Sequence, residues 1–259
     1  MRTLALSDEI LMKVDKAARY IGGEVNSVMK DKNEVEIRFA MCFPDVYEIG
    51  MSNLGMMILY NMFNQREDVW CERLFSPWPD LDKVMREKKI PLFALESQEP
   101  IRDFDFLGIT IGYEMCYTNI LQVLDLSGIP LKSADRGEDF PIVIGGGACA
   151  YNPEPLAPFF DMFYIGEGET VYDALFDAYK ANKKAGGSRK DFLLAAAKIP
   201  GIYVPSLYEV TYKEDGTIAS FAPTADGVPE KVQKQLIIDM EKEYRAVEAP
   251  VVPHIKATQ

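Results

Sequence analysis

The sequence has a single histidine, His254, near its end, and only four cysteines, Cys42, Cys71, Cys116 and Cys149, which stand far apart. One histidine excludes His-based metal centres and Ser–His or Cys–His nucleophilic catalysis. No two cysteines have the close spacing of a zinc or iron–sulfur knuckle. They read as small buried hydrophobes. Alternatively, Cys42, Cys116 and Cys149, each at or just past the carboxyl end of a strand, converge at one rim on a soft metal. No apolar run approaches the roughly 20 residues that span a bilayer, and the N-terminus lacks a signal-peptide core. A cytoplasmic protein with no membrane contact is therefore expected. Positive charge is also scarce: 28 Lys and Arg against 40 Asp and Glu leave a net charge of −12. A nucleic-acid partner needs a basic face, so none is expected for this chain.

What is present is a core. Across 259 residues, 48% are hydrophobic, enough for one large domain or a domain with an appendage. Apolar runs bounded by turn residues predict strands over 35–42, 69–73, 106–112, 141–144 and 161–165. Between them, helical periodicity predicts helices over 54–64, 80–88, 117–127 and 168–181. Ser52 or Asn53 would cap the first and Asp80 the second. Gly128-Ile129-Pro130 stops the third, and Asn152-Pro153-Glu154 opens a short helix before the fifth strand. Such alternation predicts an α/β fold: a doubly wound, flavodoxin-like, five-stranded parallel sheet of order 2-1-3-4-5.

The expected organisation has three parts. Residues 1–30 form an N-terminal helical extension, with helical pattern over 4–18. Residues 31–185 form the flavodoxin-like domain. Residues 186–259 form a β-hairpin appendage and linker: a loop at 183–190, strands at 208–212 and 218–221 around Glu214-Asp215-Gly216, one more strand within 228–239, and a charged, proline-bearing exit over 241–259.

In such a sheet, ligands bind beyond the carboxyl ends of the strands where strand order reverses. Four loops gather there. Gly145-Gly146-Gly147 either lets backbone approach a ligand or makes a tight turn. Gly166-Glu167-Gly168-Glu169 lacks the third glycine of a dinucleotide loop and puts carboxylates where a pyrophosphate would lie. Those carboxylates complement a helix dipole or hydrogen-bond a ligand. Asp45, Tyr47, Glu48, Ser52 and Asn53 follow the first strand, and Tyr113, Tyr117 and Asn119 follow the third. Together they would suit a neutral or cationic polar ligand, or they are ordinary capped loops.

With those residues placed, a resemblance can be named. The strand into Gly145-Gly146, then Asn152-Pro153-Glu154-Pro155, Asp161 and Gly166-Glu167-Gly168-Glu169, is similar to the cobalamin-binding-like domain that precedes many radical S-adenosylmethionine (SAM) domains. Arg19-Tyr20-Ile21-Gly22-Gly23-Glu24, Phe43-Pro44-Asp45-Val46-Tyr47-Glu48-Ile49-Gly50, Glu72-Arg73, Tyr117-Thr118-Asn119 and Gly201-Ile202-Tyr203-Val204-Pro205 resemble one uncharacterised bacterial subgroup of these proteins. The resemblance implies an accessory N-terminal domain that positions a substrate or cobalamin for a radical SAM domain of the same polypeptide. Cys-x3-Cys-x2-Cys is absent, so a 4Fe-4S cluster and SAM are expected only in that domain, beyond Gln259, and this chain alone is expected to catalyse nothing. Where cobalamin proteins carry Asp-x-His-x-x-Gly, this chain reads Asp45-x-Tyr47-x-x-Gly50, so cobalamin, if held, has no histidine ligand. The alternative is a free-standing module for a small molecule or a protein, with no cofactor.

Overall fold

The computed structural model describes residues 3–243, 247 and 249–251. Its centre is a six-stranded sheet of order β2-β1-β3-β4-β5-β6. The strands are β1 (Ile37–Phe43), β2 (Val69–Phe75), β3 (Phe106–Thr110), β4 (Ile142–Gly146), β5 (Met162–Tyr164) and β6 (Ile202–Tyr203). The first five run parallel in the expected 2-1-3-4-5 order, and β6 adds an antiparallel edge against β5. A two-residue strand after a helical stretch carries too little pattern to be read from sequence.

The helices are α1 (Asp8–Leu11), α2 (Tyr47–Gly50), α3 (Leu54–Asn64), α4 (Pro79–Lys88), α5 (Tyr117–Leu126), α6 (Tyr172–Lys184), α7 (Arg189–Ala196) and the single turn α8 (Met240–Glu243). All seven residues of β1 are buried, which explains why it is apolar but for Arg38, whose charge meets Glu72 of β2 at 2.6 Å. Alternation sorts its side chains between two cores. Ile37, Phe39, Met41 and Phe43 pack with Phe63 of α3 and Phe176 of α6. Ala40 and Cys42 face Leu81 of α4 and Val123 of α5 on the other side. β7 (Tyr208–Tyr212) and β8 (Ile218–Pro223) form the expected hairpin as a separate two-stranded sheet.

Several local expectations are corrected. Residues 4–18 hold only the single turn α1, because tertiary hydrogen bonds hold the arm: Ala5 N donates to Gln98 Oε1 at 3.1 Å and Asp15 N to Asp80 Oδ2 at 2.6 Å. Asp80 is thereby occupied and does not cap α4, which starts at Pro79 behind Trp78. The stretch after Pro153 is a 3-10 turn, Glu154–Phe159, with Pro158 inside it. The helix expected from 168 begins at Tyr172, and 166–171 is loop. The presumed linker 183–190 is a turn into α7, where Ser188 and Asp191 form a capping box. In 228–239 only Gln235 pairs, through one parallel bridge to Gly166. Of the expected exit 241–259, most residues, including Pro253 and His254, lie outside the described ones.

Candidate functional site

Strand order reverses between β1 and β3, and a cavity of ≈ 420 Å³ opens there at the carboxyl ends of the strands. It lies on the α3/α6 side of the sheet. Phe39 and Met41 of β1, Gly108 to Thr110 of β3 and Ile144 of β4 form its floor. Gly108 is required there: a Cβ would stand 2.3 Å from the Phe39 ring, which lies across β3. Asn53, Gly55, Met56 and Leu59, from the start of α3, make one wall. Asn53 caps this helix, its Oδ1 accepting from Met56 N at 2.9 Å. Gly146, Gly147, Gly166, Gly168 and Glu169 shape the mouth, with Tyr164 and Tyr172 behind them.

The three glycines after β4 have different jobs. A Cβ on Gly145 would meet Ile111 and Phe163 at 2.8 Å, so that residue serves packing. A Cβ on Gly146 would meet nothing nearer than the Tyr172 hydroxyl, 4.0 Å away, and would project into open cavity. Gly147 has φ +105 and comes against the Ile111 carbonyl, so it makes the turn.

Not all the sequence-derived candidates meet at this cavity. Asn53, Gly146, Gly147, Gly166, Gly168 and Glu169 line it. Asp45 and Asn119 instead line a smaller pocket of ≈ 170 Å³ against Trp78 and Gln122 of the α4/α5 side. There the polar groups satisfy one another. Tyr113 Oη donates to Asp45 Oδ2 at 2.5 Å, and Asn119 Nδ2 donates to Pro44 O at 2.9 Å. The Asp45 carboxylate and burial push the Tyr113 phenol up to about 12. Tyr47 points away from both pockets: its ring meets Phe75 edge-on at 5.3 Å, and its hydroxyl donates to Glu24 Oε1 at 2.8 Å. Glu48 receives Arg19 Nε at 2.8 Å and Nη2 at 3.0 Å, with Lys16 Nζ at 3.1 Å. Burial opposes its ionisation, but these cations outweigh it and hold the carboxyl below its ordinary value. Ser52 Oγ donates to Glu48 O at 2.6 Å. Tyr117 begins α5 beside Cys149.

Glu167 is engaged by its own chain. Its carboxylate accepts from Ile237 N, and its N–H donates to Gln235 O at 3.1 Å. The loop 166–169 is therefore a clasp for residues 235–237 as well as a cavity wall, which replaces the reading of its carboxylates as helix caps. Cys42, Cys116 and Cys149 are near enough to influence one another's ionisation in sequence, Cys42 with Cys116 and Cys116 with Cys149. Yet among the described residues no three His, Cys, Asp or Glu side chains are arranged to hold a metal ion. The shared soft-metal alternative is therefore not supported.

Sequence reasoning missed Leu59, Thr110, Tyr164 and Tyr172 as cavity residues. Leu59 and Tyr172 read as helical core positions, and only assembly exposes their tips to the cavity. Thr110 ends β3, where a polar residue closing an apolar strand was a usable signal.

Residues 55–205 match the family model for the N-terminal region of radical SAM proteins. Over 131 residues the chain is 26% identical to the uncharacterized protein MJ0966 of Methanocaldococcus jannaschii, covering 50% of this chain and 24% of that protein. It thus spans about a quarter of that relative's length. The fold is similar to part of the cobalamin-dependent S-adenosylmethionine radical enzyme OxsB, solved with aqua-cobalamin bound. That match has TM-score 0.45 and 14% identity and covers 80% of this chain and 23% of OxsB. It is also similar to part of the radical S-adenosylmethionine methyltransferase TsrM from Kitasatospora setae, solved with tryptophan substrate and a SAM analog. There the TM-score is 0.37 and the identity 16%, covering 76% of this chain and 36% of TsrM. Among the described residues no helix is long and apolar enough to cross a membrane. Since the family model covers more than half of its length, this chain belongs to the N-terminal family of radical SAM proteins.

Proposed function

We propose that this domain is the accessory, ligand-holding part of a radical SAM enzyme and keeps a small molecule, substrate or cobalamin, beside a catalytic domain of the same polypeptide. The observation that carries this reading is the cavity at the strand-order reversal, into whose open space a Cβ on Gly146 would project. A stability-only turn has no need of that vacant space.

Its residues suit a buried ring or short polar arm better than a metal centre. The Tyr47 hydroxyl is committed to Glu24, so the position of the family histidine offers cobalt no ligand. Cobalamin, when bound, supplies a cobalt centre able to carry a methyl group. The chain's own part would be to take an arm of the molecule into the cavity, exclude water from it with Phe39, Met56 and Leu59, and align it with the start of α3. The iron–sulfur cluster and SAM belong, on this reading, to the catalytic domain.

The test is gel filtration of the 259-residue chain with hydroxocobalamin, read by visible absorbance. Co-elution that is lost in Gly146→Val is the expected result. Free elution from the chain and from its longer parent alike would overturn cobalamin as the ligand and leave substrate holding. A free-standing binding module for a small molecule is the second reading, favoured by a cavity that is formed within this domain's own fold. It requires saturable small-molecule binding with no catalytic domain in the natural polypeptide.

A further inference from the structure

A second cavity, of ≈ 410 Å³, lies at the opposite edge of the sheet, at the amino ends of the strands, where α4 and α5 finish. Met85, Ile90 and Leu126 give it an apolar side. Arg86, Lys89 and Arg102 also line it, and Asp125 is its one carboxylate. In a chain of net charge −12, three cations against one anion in a single pocket reverse the local sign of charge. Arg86 is spent on its own surroundings: its Nη1 donates to Asp125 Oδ2 at 2.5 Å and its Nε to Asp82 Oδ2 at 3.0 Å. Lys89 and Arg102 have no carboxylate partner among the described residues, and Arg102 rests against the Phe140 ring at 5.5 Å.

Two further features of this pocket cost the fold stability. Lys89 follows the last turn of α4 with φ +54, in the left-handed region, where a glycine would sit without strain. Ser127, which follows the last turn of α5, is 0% exposed and lines the pocket, and its hydroxyl has no hydrogen-bond partner among the described residues. Native proteins leave few buried hydroxyls unpaired. The ends of two helices attract cations to this edge, but Arg86 and Lys88 in the last turn of α4 already meet that need. A helix dipole requires neither a left-handed lysine nor an unpaired serine.

We propose that this pocket binds the phosphate monoester group of a small molecule, held by Lys89 and Arg102, with Ser127 as a further donor and the apolar side receiving the carbon body. With Arg86 and Asp125 paired, two cations are left, and a phosphate monoester carries about −1.5 to −2 at neutral pH. A single carboxylate would leave one of them uncompensated. Arginine's fork and lysine's point charge are the usual holders of phosphate oxygens. The site is separate from the cavity at the carboxyl ends of the strands, and its occupancy is independent of what that cavity holds.

The test compares methyl phosphate with dimethyl phosphate at pH 8 and constant ionic strength, where the first is a dianion and the second a monoanion. Amide NMR titration of the 259-residue chain is expected to show methyl phosphate binding about tenfold or more tightly, with shifts centred on residues 86–91 and 125–128. Lys89→Gly should weaken methyl phosphate about fivefold or more while the thermal midpoint holds or rises, because the strained backbone is relieved. Arg102→Gln should weaken it similarly, and Ser127→Ala should weaken it without loss of stability. A purely structural role for these residues moves stability and affinity otherwise. Equal binding of the two esters, shifts centred elsewhere, or unchanged affinity in both Lys89→Gly and Arg102→Gln would sink the proposal. The wild-type ratio and the place of the shifts test it by themselves, should a variant fold poorly. A 5′-phosphorylated oligonucleotide that shifts the same amides at tenfold lower concentration than methyl phosphate would overturn the small-molecule source and assign the pocket to a nucleic-acid end.

Discussion

Tyr47 Oη donates to Glu24 Oε1 across 2.8 Å. The same carboxylate takes both terminal nitrogens of Arg73, at 2.9 and 2.6 Å, and so ties the N-terminal arm to β2. The position where the Asp-x-His-x-x-Gly pattern has its histidine is here part of a structural bond. Tyr47→Phe should therefore lower unfolding free energy by about 1 kcal/mol and leave ligand retention at the cavity unchanged. Urea denaturation beside the hydroxocobalamin assay checks both halves. A loss of retention at unchanged stability would contradict this placement.

Arg73 is the centre of the buried charge under that arm. It is fully buried, as is Glu96, whose Oε1 lies 2.6 Å from Arg73 Nε. Glu96 also accepts from the Arg73 N–H at 2.6 Å and from Tyr60 Oη at 3.0 Å. Arg73→Met removes the cation and leaves two carboxylates without it, which should cost about 3–5 kcal/mol. Chemical denaturation of this variant against Arg73→Lys, which keeps the charge but not the fork, measures it.

Acid should destabilise the protein. Burial opposes ionisation of Glu24, but Arg73 outweighs it and holds the carboxyl low. Arg66, followed by Lys180, holds Asp68 well below its ordinary value. A carboxyl depressed by folding contributes stability above its unfolded value, about pH 4, and loses it as pH falls through the folded value. Glu72 has the opposite sign: burial raises it despite Arg38, so its charged form costs stability that acid restores. Depressed carboxyls outnumber it, and thermal midpoints should fall from about pH 5 downward. In Glu72→Gln the fall should be steeper relative to pH 7, as scanning calorimetry can record.

The clasp between Glu167 and Ile237 predicts a local opening. Lys234 sits over the Tyr151 ring at 4.8 Å, one residue before the Gln235 bridge to Gly166. Glu167→Ala removes the carboxylate that receives Ile237 N and should raise tryptic cleavage after Lys234 roughly fivefold. Gly166→Ala should act in the same direction. Gly166 has φ +129, and a Cβ there would stand 2.2 Å from Gln235 O. Mass spectrometry of timed digests would show no change if the segment were held elsewhere.

Much of this was written locally. β1 and β3 are buried on both faces; β3 is a continuous apolar run and β1 is apolar but for Arg38, which Glu72 neutralises, so the sheet and its order could be read directly. α3 was legible to the residue because Asn53 caps it and its apolar spacing is helical. The opening helical pattern misled, since hydrogen bonds to Gln98 and Asp80 outcompete a helix that short. α7 hid behind Gly186-Gly187, although Ser188-x-x-Asp191 was a readable start signal.

By itself the sequence determined the parallel order of the sheet, the family, and the edge on which a ligand site would lie, because these follow from burial pattern, ordered motifs and chain topology. Only the tertiary structure decided how the candidates divide. Tyr113 satisfies Asp45 and Asn119 satisfies the Pro44 carbonyl on one face, Tyr47 and Glu48 hold the N-terminal arm, and Glu167 holds a segment some 70 residues away. Hydrogen-bond partners distant in sequence settle which polar groups are spent. The same assembly brings the hydroxyl of Tyr172, a position that reads as helical core, to the cavity wall.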